Sequence, residues 1–154
     1  MKFYTIKSTQ KLPISLEEAW DFFSTPNNLQ KITPASMNFK ITSDQKDGER
    51  MYQGQIITYV LTPLFGIPIK WMTEITHVVH HDYFVDEQRF GPYKLWHHRH
   101  SFKRIDSGVE MTDEVNYVLP FGVLGTMAHY LFLRKKIESI FVHRTKILED
   151  LFKK

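Results

Sequence analysis

Residues 124–152, LGTMAHYLFLRKKIESIFVHRTKILEDLF, decide the fold. Tyr130, Leu133, Ile137, Ile140, Phe141, Ile147, Leu148 and Leu151 recur at helical spacing and share one face. As one helix the segment spans about 43 Å. Upstream the pattern is different. Residues 2–12 alternate as a strand, ending at Pro13. Ser15 and Glu18 form a capping box for a short helix that presents Leu16, Ala19, Trp20 and Phe23 on one side. Thr25-Pro26 reads as the N-cap and first residue of a second short helix carrying Leu29 and Ile32, which ends at Thr33-Pro34.

Six strands are then expected before the long helix. Met37, Phe39 and Ile41 alternate, and a polar turn over 44–49 leads to strands over 51–61 and 69–79. Strands over 82–89, 95–104 and 109–119 follow, separated at Gly91-Pro92 and at Asp106-Ser107-Gly108. A curved sheet with one apolar face needs a cover, and only the terminal helix is long enough to supply it. The reading is α+β: a seven-stranded antiparallel curved sheet wrapped around a C-terminal helix, as a single domain over 1–154.

Composition fits such a core. The chain has 154 residues, 42% apolar, with Phe 12, Tyr 7 and Trp 3, which argues against disorder. Its net charge of +3, and no basic run longer than Arg134-Lys135-Lys136, exclude nucleic acid as an expected partner. There is no cysteine, so disulfides, thiolate catalysis and zinc-thiolate sites are excluded. The N-terminal MKFYTIKSTQKL lacks the apolar core of a signal peptide. Two 19-residue stretches without Asp, Glu, Lys or Arg, 51–69 and 115–133, are broken by proline and glycine and are not expected to span a membrane. A cytoplasmic protein is expected.

Strand parity puts polar groups inside. Trp96, His98, His100 and Phe102 share one parity, so a regular strand sends both histidines to the concave face. A turn at Asp106-Ser107-Gly108 that sets Arg104 against Val109 also sets Phe102 against Met111, His100 against Asp113, His98 against Val115 and Trp96 against Tyr117. Across Gly91-Pro92 the same logic brings Asp86 near His98 and Gln88 near Trp96. Trp71, Thr73 and Ile75 share a parity and are expected to point inward.

The expected ligand pocket is therefore aromatic with a polar centre. Its walls are Trp71, Phe84, Trp96, Phe102, Met111 and Tyr117, closed from the helix by Met127, Tyr130 and Leu133. Its polar groups are Asp86, Gln88, His98, His100 and Asp113. Buried ionisable groups need partners. Structural His–Asp pairs, anchors for a ligand's polar head, and a catalytic acid/base dyad drawn from His98, His100, Asp86 and Asp113 all satisfy that need. Two histidines at i, i+2 with a carboxylate can also build a facial metal site. However, no helical H-E-x-x-H arrangement is present and Arg99 adds positive charge nearby, so no metal and no cofactor is expected.

In an antiparallel meander alternate loops fall at one end. That end gathers Leu64, Phe65 and Ile67, then Phe90 and Tyr93, then Phe121, Val123 and Leu124. These apolar loops either plug the barrel or form an entrance, with Gly122 and Gly125 giving the gate mobility. Transient membrane contact through them is an expectation.

Residues 12–34, LPISLEEAWDFFSTPNNLQKITP, resemble the opening of the START/Bet v 1-like superfamily, also called the polyketide cyclase/dehydrase-like or SRPBCC group. FVDEQRFGPYKLWHHRHSF (84–102) and LPFGVLG (119–125) resemble a bacterial ligand-binding SRPBCC subgroup. The resemblance covers nearly the whole chain and implies a helix-grip fold. Members include lipid carriers, hormone receptors and cyclases, so it leaves activity open. The expected function is carriage or sensing of a hydrophobic small molecule. The alternatives are a cyclase or dehydratase using a His/Asp pair, and an interaction module docking through its apolar rim.

Overall fold

The computed structural model describes residues 2–46, 48–63 and 65–153. Strand β1 (Phe3–Leu12) leads into helix α1 (Leu16–Phe23), two 3-10 turns (Pro26–Ile32 and Ala35–Met37) and the two-residue β2 (Lys40–Ile41). Strands β3 (Ile56–Leu61), β4 (Ile69–Val79), β5 (Tyr83–Phe90), β6 (Leu95–Ile105) and β7 (Gly108–Val118) complete one antiparallel sheet of order β1-β7-β6-β5-β4-β3-β2. The C-terminal helix comprises α2 (Gly122–Ala128), a π turn (His129–Leu133) and α3 (Arg134–Leu151). Among the described residues no helix is long and apolar enough to cross a membrane.

The capping box is formed as expected: Glu18 N donates to Ser15 Oγ at 3.1 Å, and Ser15 N donates to Glu18 Oε2 at 2.8 Å. It aims α1 so that Ala19, Trp20 and Phe23 are buried against the sheet. Local chemistry departs from expectation in three places. Thr25 does not cap, because its hydroxyl donates back to Asp21 O at 2.8 Å, and the following turn is 3-10. Met37 sits in a 3-10 turn and Asn38 is left-handed (φ 45°), so the expected strand over 37–41 shrinks to Lys40–Ile41. Residues 51–55 loop through Gly54 (φ 87°), so β3 starts five residues later than the apolar run suggested.

The β6/β7 register follows the expectation throughout, from Arg104 opposite Val109 to Trp96 opposite Tyr117. Asp86 lies opposite His98 on β5/β6. Register shifts in β4/β5 between Met72 and Thr73 and between Ile75 and His77 add local twist to the sheet.

The helix covers the sheet unevenly, and that unevenness positions the site. Ile137 and Phe141 pack with Val115 and Tyr117 of β7. Leu148 joins Trp20, Phe23, Phe84, Phe102, Val109 and Met111 in a solid core beneath α1. Gln10 Nε2 of β1 donates to Thr145 O at 2.9 Å, fixing the helix over this half. Ile57, Tyr59, Trp71 and Thr73 of β3 and β4 face Ile137, Ile140 and Phe141 across open space.

Candidate functional site: a cavity with a histidine–aspartate cluster

That space is a cavity of about 580 Å³. One wall is aromatic. Trp71 meets Trp96 edge to face (5.5 Å between ring centroids, 89°) and stacks near Tyr59 (5.9 Å, 15°), while Tyr93 packs on Trp96 at 4.7 Å. The polar atoms in this wall are used: Trp71 Nε1 donates to Thr73 Oγ1 at 3.1 Å, and the Tyr59 hydroxyl lies 3.1 Å from the same oxygen. Burial raises the hydroxyl pKa of both Tyr59 and Tyr93, so both stay neutral. Ile57, Leu61, Met37, Phe39 and Ile140 are among the apolar residues that line the rest of it.

At the inner side of the cavity lies the cluster that strand parity anticipated. His98 and His100 are 8% and 5% exposed, their rings 3.7 Å apart, with Phe84 stacked on His100 at 4.2 Å. Each histidine touches both aspartates. His98 Nε2 is 3.0 Å from Asp113 Oδ1 and His98 Nδ1 is 3.5 Å from Asp86 Oδ2. His100 Nε2 is 2.8 Å from Asp86 Oδ2, and His100 Nδ1 is 2.8 Å from Asp113 Oδ1 but out of line for a hydrogen bond. The expected separate pairs are thus one crossed network, because i, i+2 side chains on a strand stand side by side between both neighbouring strands.

A fifth member comes from the helix. Arg144 is 8% exposed, with Nη1 3.4 Å from Asp113 Oδ1 and its guanidinium carbon 5.4 Å from the Phe23 ring centroid. Sequence reasoning missed it. The signal was available, since Arg144 is the one charged residue in step with Ile137, Phe141 and Leu148, a stripe that otherwise reads as core.

Burial and the neighbouring His100 imidazole hold His98 below the ordinary histidine value. Burial opposes charge on His100 too, but the close carboxylates of Asp113 and Asp86 outweigh it and raise its pKa. Both carboxyls ionise despite burial, Asp113 held well below the usual range by Arg144 and the histidines, and Asp86 lowered by His98 and His100.

Of the residues expected at a ligand pocket, Trp71, Phe84, Asp86, Trp96, His98, His100 and Leu133 line the cavity. Other expected wall residues do not. Phe102 and Met111 are packed solid beneath Trp20, because α1 covers their end of the sheet. Asp113 sits behind the histidines, and Tyr117, fully buried, bonds His129 Nε2 at 2.9 Å through its hydroxyl. Gln88 clamps the β5–β6 hairpin instead: its Nε2 donates to Tyr93 O at 2.6 Å and its Oε1 accepts from Tyr93 N at 3.1 Å. Met127 and Tyr130 are exposed on the outer helix face, where the Tyr130 hydroxyl meets Lys2 Nζ at 2.6 Å. The π turn re-phases the helix, so the buried positions there are Gly125 and His129.

The apolar loops do gather at one end. Phe65, Tyr93, Phe121 and Leu124 line the cavity opening, while Ile67, Phe90 and Val123 are exposed outside it and Leu64 lies outside the described residues. Phe65 and Phe121 are more than 80% exposed and both hold left-handed backbone (φ 54° and 65°). Gly125 serves a close approach: a Cβ there would run into Pro120 O.

No protein-family model matches the sequence, and no curated protein matches it. Solved structures do. Protein CV1439 from Chromobacterium violaceum superposes with a TM-score of 0.74 at 12% identity, over 97% of this chain and 98% of that one. Major latex-like protein 151 from Panax ginseng gives 0.71 at 12% identity, over 99% of both chains. Protein Ms6760 from Mycobacterium smegmatis gives 0.66 at 16% identity, over 96% and 92%. The chain has the Bet v 1-like helix-grip fold.

Proposed function

We propose that this protein binds a hydrophobic small molecule, lipid-like or aromatic, between sheet and helix, with the ligand's polar end against Asp86, His98 and His100. The cavity carries the reading. Close-packed interiors hold few voids larger than a water, so about 580 Å³ of apolar space is a built feature. It falls within the roughly 300–1,000 Å³ of small-molecule sites, with few polar groups among many apolar ones. The resemblance of residues 12–34, 84–102 and 119–125 to START/Bet v 1-like proteins, lipid carriers among them, supports the same reading.

The rim supports carriage to and from a membrane. Val123, Leu124, Met127 and Leu131 form an exposed apolar stripe on the helix beside Phe65 and Phe121, and exposed Lys94, Arg134 and Lys135 flank it. Strained, exposed aromatics suit a surface that another apolar phase covers.

A cyclase or dehydratase is the second reading, favoured by one observation: two histidines side by side at the cavity, each hydrogen-bonded to a carboxylate, in surroundings that disfavour charge on His98 and favour it on His100.

Organic extraction of the purified protein, followed by titration with an environment-sensitive apolar dye, tests the proposal. Wild type should release a bound apolar compound and bind the dye with quenching of tryptophan fluorescence. Ile140→Trp, which projects an indole into the cavity and narrows it, should weaken dye binding without changing circular dichroism. Absence of both compound and dye binding in wild type would overturn ligand carriage. Conversion of the extracted compound by wild type, lost in His100→Gln, would establish the enzyme instead.

A further inference from the structure

The histidine–aspartate cluster holds a geometric asymmetry. On the cavity side, Asp86 Oδ2, His98 Nδ1 and His100 Nε2 converge, with the carboxylate oxygen 3.5 Å and 2.8 Å from the two nitrogens. One ligand atom from each of the three residues lies within 4.8 Å of the others. Bonds of about 2.1 Å at tetrahedral angles set ligand atoms about 3.4 Å apart, so the Asp86–His98 edge already fits, the Asp86–His100 edge opens slightly, and small side-chain rotations close the triangle around an ion. On the far side, the other nitrogens, His98 Nε2 and His100 Nδ1, both face Asp113 Oδ1, at 3.0 Å and 2.8 Å. Metal-ligating histidines have distal N–H groups that donate to a carboxylate, which fixes tautomer and ring orientation; His98 Nε2 makes that bond to Asp113, and His100 Nδ1 lies as close but needs a small ring rotation to align. Asp113 is itself held by Arg144.

Charge favours the same conclusion. Two carboxylates against one guanidinium leave one net negative charge when both imidazoles are neutral. A buried group of this kind takes up a cation, either a proton or a metal ion. The objection raised by Arg99 does not apply. Its guanidinium lies 4.0 Å over the Tyr83 ring and its Nε donates to Ser101 Oγ, on the exposed opposite face of the sheet.

We propose that Asp86, His98 and His100 form a binding site for a divalent transition-metal ion of the Zn²⁺ or Fe²⁺ class, opening on the cavity, with Asp113 and Arg144 as its supporting groups. Two imidazoles and one carboxylate occupy three positions and leave the remainder facing apolar space. Those open positions suit an oxygen donor on an otherwise apolar ligand, such as a carboxylate, phenolate or enolate. The metal site does not depend on the carriage reading, because its ligands come from the protein alone.

The test is titration of metal-stripped, full-length protein with Zn²⁺ by calorimetry and with Co²⁺ and Cu²⁺ by spectroscopy. Wild type should bind one equivalent at micromolar or lower dissociation constant. Cu²⁺ should show hyperfine coupling to two imidazole nitrogens, and Co²⁺ should quench tryptophan, since Trp96 lies 6.4 Å from the His98 ring. His98→Gln and Asp86→Asn should weaken binding at least a hundredfold, and Asp113→Asn about tenfold. Circular dichroism checks that each variant is folded. If a ligand variant fails to fold, His80→Gln, which leaves the cluster intact, decides the matter: retained uptake with Cu²⁺ coupling to two imidazole nitrogens supports the cluster, and lost uptake overturns it. His80 and His81, paired at the β4–β5 turn with rings 4.0 Å apart, are the competing site. Uptake that survives His98→Gln but is lost in His80→Gln overturns the proposal, as does the absence of stoichiometric uptake by folded wild type.

Discussion

Arg144 and His129 show how single buried side chains set stability here. Arg144 is a helix residue in direct electrostatic contact with β7, at 3.4 Å from Asp113. Removing one partner of a buried pair leaves the other charge uncompensated, at a cost of roughly 3–5 kcal/mol. Two histidines remain beside Asp113, so Arg144→Met should cost about 3 kcal/mol, read as a lower urea midpoint at unchanged slope. His129 is 2% exposed, stacked on Tyr4 at 3.7 Å and bonded to Tyr117. Burial, with Arg134 and Lys2 nearby, holds its imidazole below the ordinary value. The unfolded chain therefore takes up a proton near pH 6.5 while the folded chain does not, and stability drops as pH falls from about 7 toward the folded value. His129→Gln keeps an acceptor for the Tyr117 hydroxyl and should flatten that part of the urea-midpoint profile between pH 7 and 5. An unchanged difference between the two proteins across this range would contradict the assignment.

At the scale of elements, the C-terminal helix departs most from its sequence pattern. Its apolar stripe was legible from Ile137 onward, where Ile137, Phe141 and Leu148 are buried as the spacing requires. Ahead of it, the π turn inserts a residue into the repeat and sends Tyr130 outward, which no 3.6-residue period reveals. Gly125 sits where this segment crosses the end of β7, its hydrogen-sized side chain against Pro120 O. Gly125→Ala should push the helix off the strand and destabilise by about 1–3 kcal/mol. Gly122, with φ 50° and no atom within 4 Å of a Cβ, should tolerate alanine at roughly 1–2 kcal/mol from backbone strain alone. Thermal melts of the two variants, with dye binding as a second readout, check the contrast: only Gly125→Ala should alter the cavity.

For the whole molecule, the cavity leaves a stabilising opportunity that ligand can take up. A ligand bound only to the folded state adds about 2.7 kcal/mol at a hundred times its dissociation constant. For a chain of 154 residues this corresponds to a Tm rise of roughly 5–10 °C. Saturating wild type with its extracted compound should produce that rise, and the same compound concentration should give Ile140→Trp a smaller one.

The order of strands, the β6/β7 register and the inward aim of His98 and His100 follow from the sequence by itself. Each depends on period-two alternation and on a turn at Asp106-Ser107-Gly108, which are local along the chain. The separation of solid core from cavity does not follow from it. Phe102 and Trp96 have the same parity on one strand, yet α1 packs over the first and not the second. Arg144 likewise becomes a partner of Asp113 only because the helix is set down over β7 at one particular height. Parity assigns a residue to a face of the sheet; what lies above that face is decided by segments distant in sequence, whose docking depends on the packing of the entire fold.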